Sequence, residues 1–154
     1  MTPPSIIITT GGTGGHLFPA EATAAALIRR GARITVITDA RGEDFTRRFP
    51  GAHVETIAAA SPAGGLARKI SAAWKLLQGA MQSRRIIRRL KPSAIIGFGG
   101  YASAPAMWVA QRLGIPSVLH EQNAYLGRAN RVLAAGAERL ALSFEQTESI
   151  PAAL

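Results

Sequence analysis

The sequence predicts an α/β fold built on a doubly wound, Rossmann-like parallel sheet. Short apolar and β-branched runs alternate with longer Ala-rich segments of helical periodicity along the chain. The runs are almost continuously apolar, which is expected of strands that are covered on both faces and joined by right-handed crossover helices. With 154 residues and 47% hydrophobic content, the chain is expected to form one domain over residues 1–154.

The first half of the chain contains three predicted strands. Each is a short β-branched run, and the segments between them carry helical periodicity or the glycine that commonly ends a helix. The predicted elements are a strand over Ser5 to Thr10, a helix over Ala20 to Arg30 ended by Gly31, a strand over Ile34 to Thr38, a short helix over Glu43 to Phe49 and a strand over His53 to Ile57.

The second half begins with a long helix that is interrupted at Gly79 and ends at Pro92, because proline cannot continue a helix. The uncharged stretch from Pro92 to Gln111 contains glycines and Pro105, which favour a strand, a loop and a helix over a membrane span. The predicted elements are a helix over Leu66 to Leu90, a strand over Ala94 to Phe98, a helix ending near Leu113 and Gly114, a strand over Ser117 to His120, a helix ending near Gly136 and a strand over Arg139 to Ser143.

Three polar loops follow predicted strands, at residues 11–16, 99–103 and 120–127. The carboxyl ends of parallel strands lie at the same edge of a sheet, and ligands of such sheets bind in the crevice outside that edge. The sequence therefore predicts that the three loops converge on one ligand site.

The first loop, Gly11 to Gly15, is suited to an anion, because backbone N–H groups at a helix N-terminus attract phosphate or pyrophosphate. The pair Gly99-Gly100 opens a later helix in the same manner, so two loops are expected to grip a pyrophosphate from both sides. A tight strand-to-helix turn is the alternative for each. A dinucleotide site is disfavoured because Leu17 stands where a third glycine is required, although Asp39 fits that reading.

Two of the three histidines, His16 and His120, follow predicted strands, where an imidazole can accept a proton near neutral pH. A capping or loop hydrogen bond is the alternative role for either ring. Glu121 can act as a base or orient His120, and Asn123 can hold a sugar hydroxyl or cap the next helix. No Asp-x-Asp motif and no cluster of metal-ligand residues occurs, so no metal and no cofactor is predicted.

The net charge of +9 comes from one segment of the chain. Between Glu55 and Glu121 there are nine Lys and Arg residues and no Asp or Glu. Such a segment indicates an anionic partner surface or, alternatively, a solvated basic helix. A nucleic-acid partner is not expected, since aromatics are not interleaved and no known motif is present. The absence of cysteine and of a signal-like N-terminus favours a protein that begins in the cytoplasm.

The long helix carries an apolar stripe that continues into arginines, which is typical of a helix lying at a membrane interface. A second stripe is available to pack on the sheet, which leaves the first free to face outward; core packing of the first stripe is the alternative. The outward stripe consists of Ile70, Trp74, Leu77, Met81, Arg84 and Arg88. The sheet-facing stripe consists of Ala73, Leu76, Ala80, Ile87 and Leu90.

Three segments together resemble glycosyltransferase family 28. They are GGTGGHLFP at 11–19, GFGGY at 97–101 and GIPSVLHEQN at 114–123, and the resemblance runs from about Ile6 to Phe144 in the family's order and spacing. It implies the N-terminal, acceptor-binding half of a GT-B enzyme of peptidoglycan synthesis. That enzyme moves N-acetylglucosamine from UDP-GlcNAc to the C4 hydroxyl of the muramoyl sugar of lipid I, giving lipid II, with inversion and without a metal.

The resemblance also implies roles for individual residues. The catalytic set is His16, as general base, and Glu121. The donor UDP-GlcNAc is contacted by Thr13, Gly14, Gly15 and Asn123. The acceptor and its pyrophosphate are contacted by Gly11, Gly12, Gly99, Gly100, Tyr101 and His120. The outward stripe docks on the cytoplasmic face of the plasma membrane, so the partners are UDP-GlcNAc, lipid I and anionic lipid.

Members of this family continue into a second, donor-binding domain, whereas the chain stops at Leu154. We therefore expect the 154 residues alone to lack transferase activity and to bind UDP-GlcNAc weakly. Two other interpretations stay open. One is a non-catalytic, membrane-docking subunit of a two-chain glycosyltransferase, and the other is the dinucleotide-binding domain of an oxidoreductase.

Overall fold

The computed structural model describes residues 2–12, 14–39 and 45–151, without the side chain of Phe45. Strands and helices alternate throughout these ranges. In chain order they are β1 (Ser5–Thr9), α1 (Gly14–Arg29), β2 (Arg33–Asp39), α2 (Phe45–Arg48), β3 (His53–Ile57), α3 (Leu66–Leu90), β4 (Ala94–Gly97), α4 (Ser103–Arg112), β5 (Ser117–Glu121), α5 (Arg128–Leu133), a 3₁₀ turn (Ala134–Gly136) and β6 (Arg139–Leu142).

The six described strands form one sheet in the order β3-β2-β1-β4-β5-β6, and every neighbouring pair is parallel. The order reverses between β1 and β4, because the chain leaves β3 at one edge and returns next to β1. This is the topology of a doubly wound, Rossmann-like sheet. The fold class predicted from the alternation of apolar runs and helices is confirmed.

Each face of the sheet has its own hydrophobic core. Ile8, Val36 and Phe98 pack under α1, whereas Ile7, Ile37 and Leu119 pack under α3, α4 and α5. Successive residues of a strand point to opposite faces, which is why Ile7 and Ile8 belong to different cores. Both cores are needed to bury strands that are apolar along their whole length.

Helix α1 begins earlier than predicted, at Gly14 rather than near Ala20. The glycines indicated a loop, but Leu17 and Ala20 lie three residues apart on one helical face and are both buried against the sheet. Packing of this face outweighs the poor helix propensity of the first turn. The correction places His16 in the first turn of a helix rather than in a loop.

Helix α3 is continuous from Leu66 to Leu90, so the interruption predicted at Gly79 is wrong. A Cβ on Gly79 would lie 2.1 Å from the carbonyl oxygen of Ala58, which shows that glycine is there for close approach to the segment after β3. The helix ends as predicted before Pro92, with Lys91 in the left-handed conformation (φ 46°).

The remaining differences concern boundaries and one packed position. Glu121 belongs to β5, and the segment after Gly127 forms a six-residue helix followed by a 3₁₀ turn. On α3, Ala73 is exposed, and Ala72 takes the buried position predicted for it. The predicted helix start at Glu43 lies outside the described residues. Within the described residues, no helix combines the length and apolar character needed to span a membrane.

Candidate functional site

The loops after β1, β4 and β5 meet at the carboxyl edge of the sheet, around the point where the strand order reverses. Gly11 donates its backbone N–H to the carbonyl of Gly99 at 3.1 Å, which joins the first two loops directly. At the start of α4, Ser103 Oγ lies 2.5 Å from Thr9 Oγ1, tying that helix to the end of β1. The predicted convergence of the three loops is confirmed.

The two glycine loops pack against each other. A Cβ on Gly11 would lie 3.1 Å from Gly100 Cα, and Gly99 and Gly100 have φ values of 90° and 83°. A Cβ on Gly99 would lie 3.0 Å from the His16 ring. These glycines are therefore required for backbone contact and for seating His16, whether or not an anion binds beside them.

A pocket of about 230 Å³ opens beside this contact, and we name it the polar pocket after the His, Glu, Asn and Arg side chains in its wall. Side chains and backbone from α1, the loop after β4, the loop after β5 and helix α5 all contribute to its wall. Its lining residues are His16, Gly99, Gly100, Tyr101, Glu121, Asn123, Gly127, Arg128, Ala129 and Asn130.

Glu121 holds the third loop in place. Its side chain is buried, and Oε1 accepts from the backbone N–H and the side-chain amide of Asn123 at 3.1 and 3.0 Å. Oε2 accepts from the N–H of Gly127 at 2.8 Å and from Asn130 Nδ2 at 3.0 Å. A carboxylate that accepts four hydrogen bonds is strongly held, which favours a supporting role for Glu121; its catalytic role stays a prediction.

His16 is joined to the third loop by the side chain of Gln122. Gln122 Nε2 lies 2.8 Å from His16 Nδ1. The second ring nitrogen of His16 has no hydrogen-bond partner among the described residues, and the ring lines the polar pocket. His120 is not part of the pocket wall: its ring packs 5.0 Å from that of Phe98, and its Nε2 lies 3.4 Å from Ser143 Oγ.

The environment of His120 favours its neutral form. Burial lowers the pKa of this ring below its usual value, while the neighbouring Gln122 amide and the charge of Glu121 act in the opposite direction. A ring of this kind is a hydrogen-bonding group at neutral pH rather than a cation. His120 can thus orient its neighbours without adding charge to the pocket.

A larger groove of about 540 Å³, almost entirely apolar, lies between α3, α4 and α5. It shares Tyr101, Arg128 and Ala129 with the polar pocket, so the two concavities adjoin along these three residues. The remaining lining residues are Pro62, Leu76, Leu77, Ala80, Ala104, Pro105, Trp108, Val132 and Leu133.

The outward stripe of α3 borders this groove at Leu77. Ile70, Trp74, Leu77 and Met81 are 53% to 65% exposed, so the prediction that this face points away from the sheet is confirmed. Arg84 and Arg88 continue the face and are exposed, with no ion-pair partner in the described part of the chain. Trp108 on α4 is 48% exposed and extends the apolar surface, with the Arg112 guanidinium 5.2 Å from its ring centre.

The structure brings together most of the residues predicted to form the site. Gly14 and Gly15 are exposed at the start of α1, and Thr13 lies outside the described residues. Sequence reasoning missed Gln122, Arg128, Asn130 and Trp108. Gln122 lay within a recognised motif, but nothing in the sequence shows that it bonds to His16. Among the described residues, no group of three His, Cys, Asp or Glu side chains is placed to hold a metal.

Comparison with known proteins gives one consistent result. The model of the glycosyltransferase family 28 N-terminal domain matches residues 6–142. The UDP-N-acetylglucosamine–N-acetylmuramyl-(pentapeptide) pyrophosphoryl-undecaprenol N-acetylglucosamine transferase of Maricaulis maris is 49% identical over 153 residues, which are 99% of this chain and 42% of that protein. The enzyme of the same name from Methylorubrum populi is 46% identical over 149 residues, 96% of this chain and 40% of that protein.

Solved structures agree with these relatives. MurG of Acinetobacter baumannii superposes with a TM-score of 0.84 at 32% identity, covering 96% of this chain and 43% of that one. UDP-GlcNAc 2-epimerase of Methanocaldococcus jannaschii superposes with a TM-score of 0.65 at 16% identity, covering 93% of this chain and 40% of that one, and shows the shared fold alone. The chain spans about two fifths of the length of the curated relatives it matches.

Proposed function

We propose that this chain, which belongs to the family of glycosyltransferase family 28 N-terminal domains, is the acceptor-binding domain of an N-acetylglucosaminyltransferase. The reaction proposed is transfer of N-acetylglucosamine from UDP-GlcNAc to lipid I, giving lipid II for peptidoglycan. The observation that carries the proposal is that the polar pocket and the apolar groove adjoin at three shared residues, since lipid I joins a sugar and pyrophosphate to a polyprenyl chain.

The chain spans about two fifths of the length of its relatives. We propose that it acts together with a second domain, which corresponds to the part of the relatives that it does not match. In that arrangement the acceptor lies against the polar pocket, and the donor reaches it from the facing domain. Gly14, Gly15, Asn123 and Thr13 are proposed to meet the donor sugar nucleotide. Of these, Gly14, Gly15 and Asn123 are exposed to solvent and therefore accessible to a ligand.

His16 is proposed as the general base. Its ring lines the pocket, and one ring nitrogen has no protein partner among the described residues. In the step proposed, the C4 hydroxyl of the acceptor gives its proton to His16 while its oxygen bonds to the anomeric carbon of the donor. The bond from that carbon to the diphosphate oxygen breaks, and its electron pair leaves with UDP. General-base catalysis of this kind contributes about 10²- to 10⁴-fold to the rate.

The acceptor pyrophosphate is proposed to lie between the glycine loops and Arg128. Arg128 is exposed where the polar pocket meets the apolar groove, and its guanidinium is suited to phosphate oxygens. Tyr101 lines both concavities and is proposed to separate the sugar from the lipid. The first part of the polyprenyl chain would then follow the groove toward Leu77 and Val132.

The exposed face of α3 is proposed to dock on the cytoplasmic leaflet of the plasma membrane. Its apolar side chains have no protein cover among the described residues, and Arg84 and Arg88 lie beside them. Apolar burial combined with attraction of arginines to anionic lipid is the usual physics of such a helix. The same face also favours a second function, a non-catalytic docking subunit that presents lipid I to a separate chain.

The proposed activity is tested by joining residues 1–154 to the unmatched remainder of the Maricaulis maris relative. We expect lipid II formation that falls about 10²- to 10⁴-fold in kcat on His16→Ala. His53→Ala is the matched control, because His53 lies on the edge strand β3, away from the loops that follow β1, β4 and β5. An active chimera in which His16→Ala retains its turnover would remove His16 as the base, and an inactive chimera that still binds lipid I would favour the docking function.

A further inference from the structure

The side chain of Gln122 occupies an unusual position between two histidines. Its amide nitrogen is 2.8 Å from His16 Nδ1. Its amide oxygen is buried and has no hydrogen-bond partner among the residues that the structure describes, and the same holds for the buried Nδ1 of His120. Nε2 of His120 faces Ser143 Oγ at 3.4 Å, which leaves Nδ1 as the nitrogen of this ring that the Gln122 amide can reach.

The contact with His120 is a near approach rather than a formed hydrogen bond, since both orphaned atoms stay outside bonding geometry. The amide is nevertheless close enough to influence the protonation of that ring. Two buried atoms without partners cost free energy, and a small rotation that pairs the amide oxygen with an Nδ1–H of His120 would recover it.

We propose that Gln122 is a positioning residue whose amide determines which nitrogen of His16 carries the proton. The same amide forces His16 and His120 into opposite tautomers. A primary amide has a donor end and an acceptor end. With the nitrogen toward His16, that ring accepts at Nδ1 and carries its proton on Nε2, and His120 donates from Nδ1 to the amide oxygen. With the amide reversed, His16 donates from Nδ1 and His120 accepts there.

The two orientations give His16 different chemistry at the pocket. In the first, Nε2–H of His16 is a donor suited to a phosphate or carbonyl oxygen. In the second, Nε2 has a free lone pair and can accept a proton. The second orientation is the one that general-base action requires, so this part of the inference rests on the proposed function. Ser143 is compatible with either tautomer of His120, because its hydroxyl can donate to or accept from His120 Nε2.

The inference is tested on the 154-residue chain by two-bond ¹H–¹⁵N correlation of the histidine rings. The spectra are recorded at about pH 8.5, above the usual imidazole pKa of about 6.5, so that the rings are neutral. In the wild type we expect one ring of the pair to be protonated on Nδ1 and the other on Nε2. Because the readout needs no substrate, its failure is distinct from failure of the proposed transferase activity.

Two variants separate the amide's chemistry from its bulk. Gln122→Leu removes both ends of the amide, and both rings should then show the same tautomer, the Nε2–H form that an unconstrained imidazole prefers. Gln122→Glu offers only acceptors, and both rings should move toward the Nδ1–H form. His53, which pairs with Glu55 on β3, is the internal control and should not change.

Identical tautomers for His16 and His120 in the wild type would overturn the inference. So would opposite tautomers that persist in Gln122→Leu while backbone spectra show an intact fold. If the Gln122→Leu chain fails to fold, the spectra of the wild type and of Gln122→Glu test the inference, since glutamate has nearly the same shape as glutamine.

Discussion

The polar pocket and the outward face of α3 differ in what holds their side chains. In the pocket, Glu121 alone accepts four hydrogen bonds, and the side chains of Asn123 and Asn130 are fixed by it. On α3, Ile70, Trp74 and Met81 are more than half exposed and have no role in either core. The side chains of the pocket are therefore held in fixed positions, whereas those of the α3 face are available for contact with something outside the chain.

Substitutions in the two regions should therefore have different consequences. Changes in the pocket should alter stability or chemistry steeply, because each side chain has several fixed partners. Changes on the α3 face should leave the fold almost untouched and should alter surface binding in small, nearly additive steps. The comparison fails if a change in one region has the effect assigned to the other.

The largest expected effect is on stability, from Glu121→Ala. Its removal leaves four donors without their acceptor in a buried position, and we expect the free energy of unfolding to fall by about 3 to 5 kcal/mol. Urea denaturation measures the loss. Glu121→Gln keeps one acceptor oxygen and should cost less, and the exposed Glu145→Ala should change stability by less than about 0.5 kcal/mol. Equal values for the three variants would contradict the description of the pocket.

A smaller effect is expected on membrane binding from Arg84→Gln with Arg88→Gln. Each arginine contributes about 1 kcal/mol near an anionic leaflet, so the pair should weaken partitioning about 30-fold while stability stays the same. Flotation with phosphatidylglycerol vesicles gives the measurement, and Trp74→Ser should add to the loss. Arg29→Gln with Arg30→Gln, at the end of α1, is the control. Binding that is unchanged in the α3 variants, or equally weakened in the α1 control, would remove the docking role.

The smallest effect is the pH dependence contributed by His120. Burial lowers its pKa in the folded chain, against the weaker influences of Gln122 and Glu121. The folded state thus binds this proton less readily than the unfolded state, whose pKa is about 6.5. The contribution to stability is present above that pH and is lost as pH falls through the folded pKa. Partial exposure keeps it below about 1 kcal/mol.

Denaturation at a series of pH values between about 5 and 8, for the wild type and His120→Asn, isolates this contribution. The wild type should lose more stability than the variant as the pH falls. A variant that loses stability equally, or more steeply, would show that His120 is not held in its neutral form.

The fold was largely predictable because its signals are local. Strands β2 and β3, for example, are β-branched runs that no helix pattern explains. Each lies within one or two residues of its predicted range. The start of α1 was not predictable, because burial of Leu17 against the sheet decides it and the glycines indicate a loop locally. The role of Gly79 depends on Ala58, a residue 21 positions away.

The site was predictable as a set of converging loops, but its internal connections were not. The positions of His16, Glu121 and Asn123 follow from the rule that loops after parallel strands share an edge. That Glu121 serves four donors, and that Gln122 reaches His16 across 106 residues of sequence, depends on side-chain directions. The apolar groove was missed because Trp108 and Val132 come from two helices whose packing no local pattern describes.

The central claim is that lipid I lies in the polar pocket and extends into the apolar groove. The most direct test is an NMR titration of the ¹⁵N-labelled chain with a soluble lipid I analogue that carries a short prenyl group. We predict shifts of the amides at 99–101 and 121–130, with further shifts at Val132 and Leu77 that disappear when the prenyl group is removed. Shifts confined to the opposite edge of the sheet, around Gly114, Ser117 and Glu138, or no shifts at saturating analogue, would contradict the claim.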